Sequence, residues 1–193
     1  MTDSATHLIH EAMDHSDDGD YEGAARLLTQ AIGLGPTNPQ AYHERAMALL
    51  NLNRERDALE DFDRALALDP VFPGSRSWRA RTLAGLGEHR LAAEDWLREL
   101  RDCPNGPPGM GVCPQTWADC AEEFVKAGDA VTAVGLLEEY LAGHASRVTA
   151  YARFETAPIR LLARLLANAG NESRAADLRR LARASQHKVP ADG

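Results

Sequence analysis

The segment HLIHEAMDH at 7–15 brings His7, His10, Asp14 and His15 within two helical turns. An imidazole and a carboxylate four residues apart, as at His10 and Asp14, have the spacing to chelate a metal ion. The zinc motif H-E-x-x-H needs its second histidine one residue sooner than His15 supplies it, and no cysteine lies nearby, so a polar helix is the expectation and no metal is assigned. Cys103, Cys113 and Cys120 are separated by nine and six residues, which fits no common zinc pattern. Cys120 falls at a packing position and reads as a small buried hydrophobe. A Cys103–Cys113 disulfide across the Pro/Gly-rich loop does not suit a reducing compartment. Arg174, Arg179, Arg180 and Arg183 could meet phosphates, but few aromatics interleave with them to stack bases. With no phosphate-binding glycine loop, no G-x-S-x-G elbow and no Cys/His pair at a known spacing, the expectation is a protein without catalysis and without a cofactor.

The elements carrying these residues are set by composition. Alanine occurs 33 times and arginine outnumbers lysine 19 to 2, which favours helices. Aromatics are 6 % of the 193 residues, too few for an aromatic-rich β-sandwich. No apolar run reaches the length of a membrane span, and 1–15 lacks the basic flank and apolar stretch of a signal peptide. A net charge of −8 argues against general nucleic-acid binding. These features point to a soluble cytoplasmic protein, and the composition to a bacterial source with a GC-rich genome. Charge is uneven: residues 1–70 carry a net −9 and residues 147–188 a net +6. An acidic front and a basic tail could meet head to tail, so self-association is one expectation.

The strongest signal is an internal period of 34 residues. GDYEGAARLLTQAIGLGPTN at 19–38 aligns with NRERDALEDFDRALALDPVF at 53–72 and GEHRLAAEDWLRELRDCPNG at 87–106. Gly19, Asn53 and Gly87 share a slot, as do Ala24, Ala58 and Ala92, then Leu28, Phe62 and Trp96, then Pro36, Pro70 and Pro104. A fourth copy keeps Gly128, Ala133 and Leu137 and has Ala145 in the proline slot. A fifth keeps Gly170 and Ala175 and has Arg179 in the large apolar slot. Each copy reads as two helices. The first stops at a Gly or Asn able to adopt left-handed backbone, and the second stops before the proline.

Small-residue slots, a turn glycine and a closing proline at this period resemble the tetratricopeptide repeat, over about residues 5–185. The copies are 5–38, 39–72, 73–106, 114–147 and 156–189. A Pro/Gly-rich insertion (107–113, within the loop 104–114), a second insertion at 148–155 and a flexible tail at 186–193 complete the chain. The resemblance implies an all-α, αα-hairpin solenoid wound as a right-handed superhelix, with first helices on its concave face. It also implies a groove that binds another protein or peptide segment. In this chain the groove positions are His43, Glu44, Met47 and Asn51, then Ser77, Trp78 and Arg81, then Asp119, Glu122 and Lys126, then Arg160, Arg164 and Asn168. Trp78 is either an anchor for the partner or core packing. The family's subclass that clamps the carboxylate of chaperone tails needs Lys and Asn where this chain has Ile9, Met13 and Glu44, and Lys and Arg where it has Gly74 and Trp78, so that role is not expected.

A second regularity accompanies the period. Slot 7 of the first helix and slot 23 of the second are Arg45 and Asp61 in copy two, and Arg79 and Asp95 in copy three. Both are apolar or Cys in copies four and five. Residues that arrive and leave together read as ion pairs joining the two helices of one repeat.

Overall fold

The computed structural model describes residues 2–102, 114–148 and 156–184. Among these residues it contains ten helices and no strand. They divide into two compact units, 1–88 and 89–193. Unit 1 holds α1 (Thr2–Asp17), α2 (Tyr21–Leu34), α3 (Pro39–Asn51), α4 (Glu55–Leu68) and α5 (Ser75–Gly85). Unit 2 holds α6 (His89–Asp102), α7 (Pro114–Lys126), α8 (Ala130–Val148), α9 (Thr156–Asn168) and α10 (Glu172–Ala184). Within each unit, successive helices pack on one another.

The turn slot of the repeat explains where first helices end. Gly19, Asn53, Gly87, Gly128 and Gly170 all adopt positive φ, between 56° and 84°. Asn53 is the one non-glycine among the described residues to do so, and asparagine tolerates this region better than most side chains. Two of the second helices, α2 and α8, are capped by the aspartate before them, whereas Arg54 before α4 gives no side-chain cap. The Asp20 carboxylate accepts from the Gly23 N–H at 2.9 Å, and Asp129 accepts from the Thr132 N–H at 3.1 Å. Both carboxyls are held below the usual aspartate range, first by these backbone hydrogen bonds. Asn38 caps α3, with Pro39 at the first helical position where its missing N–H costs nothing.

The closing slot works by the presence or absence of proline. α4 ends at Leu68, two residues before Pro70. In copy four the slot holds Ala145, and α8 runs through it to Val148, 19 residues in all. The second insertion therefore begins inside a helix. Its remaining residues 149–155, the loop at 103–113 with Cys103 and Cys113, and the tail from 185 lie outside the described residues.

Packing follows the slots. In unit 1 one core cluster joins Ile9, Ala12, Ala24, Leu28, Ala31, Ala41 and Ala48, and a second joins Ala46, Leu49, Ala58 and Phe62. In unit 2 the buried side chains include Trp96, Phe124, Leu137, Tyr140, Ile159 and Leu162. Ala24, Ala58 and Ala92 have no exposed surface, because each is small where a neighbouring helix passes close. We expect Ala58→Leu to overpack this contact and lower stability by about 1–3 kcal/mol, read from the midpoint of urea unfolding.

Candidate functional site

Of the two predicted ion pairs, Arg45–Asp61 forms within unit 1. Arg45 on α3 meets Asp61 on α4 as a bidentate pair, Nε to Oδ2 and Nη2 to Oδ1, both at 2.7 Å. Asp61 is buried, and the hydrogen bond to it raises the Arg45 pKa further. Arg45 also donates from Nη1 to Thr29 Oγ1 on α2 at 3.1 Å, so one guanidinium ties three helices together. Arg79 belongs to unit 1 and Asp95 to unit 2. Within its own unit Arg79 donates to Asp63 on α4. Thr29 and Asp63 occupy the same slot of copies one and two, so each slot-7 arginine also reaches back to the preceding repeat. The repeat alignment does not single out this slot, although both of its occupants can accept a hydrogen bond.

In unit 1 the groove candidates fall into an inner and an outer set. His43 is half-buried against Phe62 and Phe72, with ring centroids 5.7 and 5.4 Å away. Its Nδ1 lies 2.8 Å from Ser75 Oγ at the start of α5. Burial holds this imidazole below the ordinary histidine range. As pH falls through that range the unfolded chain takes up the proton first, so stability drops with acid. We expect His43→Leu to lose less stability than the wild type between about pH 7 and about pH 5.5 in urea titrations. Glu44 is also half-buried. Burial pushes its carboxyl up, a Gln40 hydrogen bond opposes this, and the charge of Asp17 adds to the rise. Met47 packs partly on the Phe62 cluster, and Asn51 donates to the Met47 carbonyl at 2.9 Å.

Trp78 packs on the core and is only partly buried. One side packs on the cluster of Ala46, Leu49, Ala58 and Phe62. The exposed Arg81 guanidinium lies over its ring, 4.5 Å from the centroid. Thr82 Oγ1 donates to the Trp78 carbonyl at 2.8 Å. The slot-4 side chain of this copy, Arg76, is buried and donates to the Pro70 carbonyl at 2.6 Å, bracing the loop before α5. Trp78 and Arg81 line a cleft of about 290 Å³ with Leu50, Glu55, Thr82, Gly85 and Leu86.

In unit 2 the candidates are cross-linked. Arg164 on α9 meets Glu122 on α7 at 3.4 Å, and Lys126 meets the buried Glu123 at 2.5 Å. The hydrogen bond to Glu123 raises the Lys126 pKa, and the charges of Glu123, Glu122 and Asp119 add to it. His89 on α6 also reaches Glu123, at 2.7 Å. Asp119 accepts from the Gln115 amide at 2.8 Å, and Arg160 is exposed. Cys120 is buried and donates to the Ala93 carbonyl, and burial pushes its thiol up to about 12, far from a reactive thiolate.

Among the described residues, no group of three His, Cys, Asp or Glu side chains could hold a metal ion. His7 faces Glu11 at 3.8 Å and His15 pairs with the capping Asp20 at 2.7 Å. No helix of the described residues is long and apolar enough to cross a membrane.

Paired helices at a 34-residue period, with left-handed turn slots and alanine crossings, define an αα-hairpin repeat protein of the solenoid class. The chain belongs to the tetratricopeptide repeat family, whose model matches residues 10–71 and 43–107. Over 61 residues, 32 % of this chain, it is 38 % identical to a tetratricopeptide repeat and J domain-containing co-chaperone of Cryptococcus neoformans. It spans 12 % of that relative's length. Solved structures of similar fold include a MamA fragment from Desulfovibrio magneticus RS-1, with a TM-score of 0.72, 14 % identity and coverage of 96 % of this chain and 97 % of that one. Another contains the nearly identical TPR-like repeats of a Podosopora anserina kinesin light chain, with a TM-score of 0.73, 20 % identity and coverage of 100 % and 99 %. Both bear out the fold class read from the period. Repeats of this family generally mediate protein–protein interaction, and the fold is typically a non-enzymatic scaffold.

Proposed function

We propose that the protein is a non-enzymatic scaffold, of the adaptor, chaperone or inhibitor type, that holds a segment of a partner protein against its first-helix faces. The observation that carries this reading is the Trp78–Arg81 stack at the mouth of its cleft. A tryptophan packed on the core with an arginine over its ring loses little freedom on binding, and these two residue types dominate interface hot spots. Glu44, with the Asp17 charge near it, and the exposed Arg81 would let charge select a partner and its register.

Head-to-tail self-assembly is the second reading, and the acidic front and basic tail favour it. Against it, Arg174, Arg179 and Arg180 are already engaged by Glu138, Glu172 and Asp177 inside unit 2, which leaves less free charge at that end. A pull-down from source lysate, with intact masses of what elutes, separates the two. One stoichiometric protein captured by wild type and lost with Arg81→Glu/Arg164→Glu supports the scaffold. Copies of the chain alone, dissociating as salt rises, would replace it with self-assembly.

A further inference from the structure

His43 on α3 braces the start of α5. Its ring lies against Phe62 and Phe72, and its Nδ1 is 2.8 Å from Ser75 Oγ. Ser75 is the first residue of α5 and has no exposed surface, so its hydroxyl relies on the imidazole and not on water. Gly74, just before it, has a φ of 82°. A Cβ there would stand 3.5 Å from His43 Cε1 and 3.7 Å from Trp78 Cδ1, so the two rings flank the glycine. The Trp78 N–H donates to the Gly74 carbonyl at 2.9 Å. One imidazole thus supports the turn on which Trp78 stands.

The charged groups on the surrounding elements are engaged elsewhere. On α3, Glu44 is bonded by Gln40 and feels Asp17 of α1, while Arg45 is held by Asp61 of α4 and Thr29 of α2. In the loop before α5, Asp69 accepts from the Val71 N–H. On α5, Arg76 donates to the Pro70 carbonyl, Arg79 to Asp63, and Arg81 lies over Trp78. Burial lowers the pKa of the His43 ring, and no charged group adds to or opposes it. An imidazolium at this place would also meet the positive end of the α5 dipole. The packed arrangement therefore favours the neutral ring, and a proton favours any arrangement that gives the ring water.

We infer that His43 is an acid-sensitive latch of the binding face. With the ring neutral, the start of α5 is held and Trp78 and Arg81 are set. With the ring protonated, the packing on Phe62, Phe72 and Ser75 gives way and the face loosens its hold on the partner segment. That consequence rests on the scaffold reading, but the latch itself acts without a partner. It differs from a general loss of stability in acid, because Trp78 should respond while the helices persist.

The test is a titration of the full chain from pH 7.5 to pH 5, with ring-labelled histidine and 5-fluorotryptophan followed by NMR and circular dichroism recorded alongside. His43→Gln and Trp78→Phe assign the two resonances. His43 should titrate with a midpoint below about 6.5, the ordinary histidine value. The Trp78 fluorine should shift with the same midpoint at constant helix content. In His43→Gln, which keeps an amide for Ser75 but takes no proton, the Trp78 fluorine should stay still. In Glu44→Gln it should still move. A Trp78 signal that ignores the His43 titration, or moves equally in His43→Gln, would overturn the latch. Loss of the movement in Glu44→Gln would assign it to that carboxyl instead. If His43→Gln does not fold, Ser75→Ala replaces it: the His43 and Trp78 midpoints should move together, and midpoints that part overturn the latch. A partner captured in the pull-down should elute from wild type at pH 5.5 and stay on His43→Gln, and equal retention by both would overturn the regulation. A titration that behaves as expected beside a pull-down that captures nothing places the fault in the scaffold reading alone.

Discussion

Phe62→Ala should lower the unfolding free energy by about 3–5 kcal/mol, the largest single effect expected in unit 1. Phe62 has no exposed surface and fills the large apolar slot of copy two. Its neighbours Ala46 and Ala58 are small because the helices cross closely, and helices at such a crossing cannot collapse far into a void. The same ring supports His43 from one side, and Trp78 packs on the same cluster, so the loss should extend to the cleft. Urea unfolding monitored by tryptophan fluorescence measures it. A loss below about 1 kcal/mol would mean that the slot is not a core position.

Asp61→Ala should cost about 3 kcal/mol, the lower end of the range for removing one partner of a buried pair, because Arg45 keeps 23 % of its side chain exposed. The residual guanidinium would retain Thr29 but lose both bonds to carboxylate, and half-buried donors would face no acceptor. Replacing both members by apolar residues, Arg45→Met with Asp61→Leu, should recover most of the loss, since neither charge is then left alone. The cycle of single and double variants reads the pair directly. Equal losses for the single and the double variants would assign the effect to packing.

Much of the fold is written in residue types that do one job at one position. A turn slot held by Gly, Asn, Gly, Gly and Gly is legible because few other residues adopt positive φ cheaply. Alanine slots are legible because a close crossing excludes anything larger. The pairing of Arg45 with Asp61 shows in the sequence because both leave the repeat together. The backward reach of Arg45 to Thr29 and of Arg79 to Asp63 does not show, since Thr and Asp at that slot also read as ordinary surface residues. The extension of α8 to Val148 follows from a missing proline, which is visible only once the other copies set the rule.

The site is less legible than the fold. Charge and spacing place Glu122 and Arg164 on one face, but not in contact with each other. Trp78 alone gives no sign that it serves core and surface at once, because that depends on Arg81 lying three residues on along the same helix. Val131 is legible by contrast: it stands in solvent at the slot that holds Glu22, Arg56, Arg90 and Ser173 in the other copies, all of them exposed.

The central claim is that a partner segment is held through the Trp78–Arg81 cleft. Calorimetric titration of the captured partner into wild-type protein and into Trp78→Ala, with circular dichroism to show that the helices persist, tests it most directly. An affinity loss of about 30-fold is expected, the size of a hot-spot truncation. An unchanged affinity in a folded variant would contradict it and move the binding surface elsewhere on the chain.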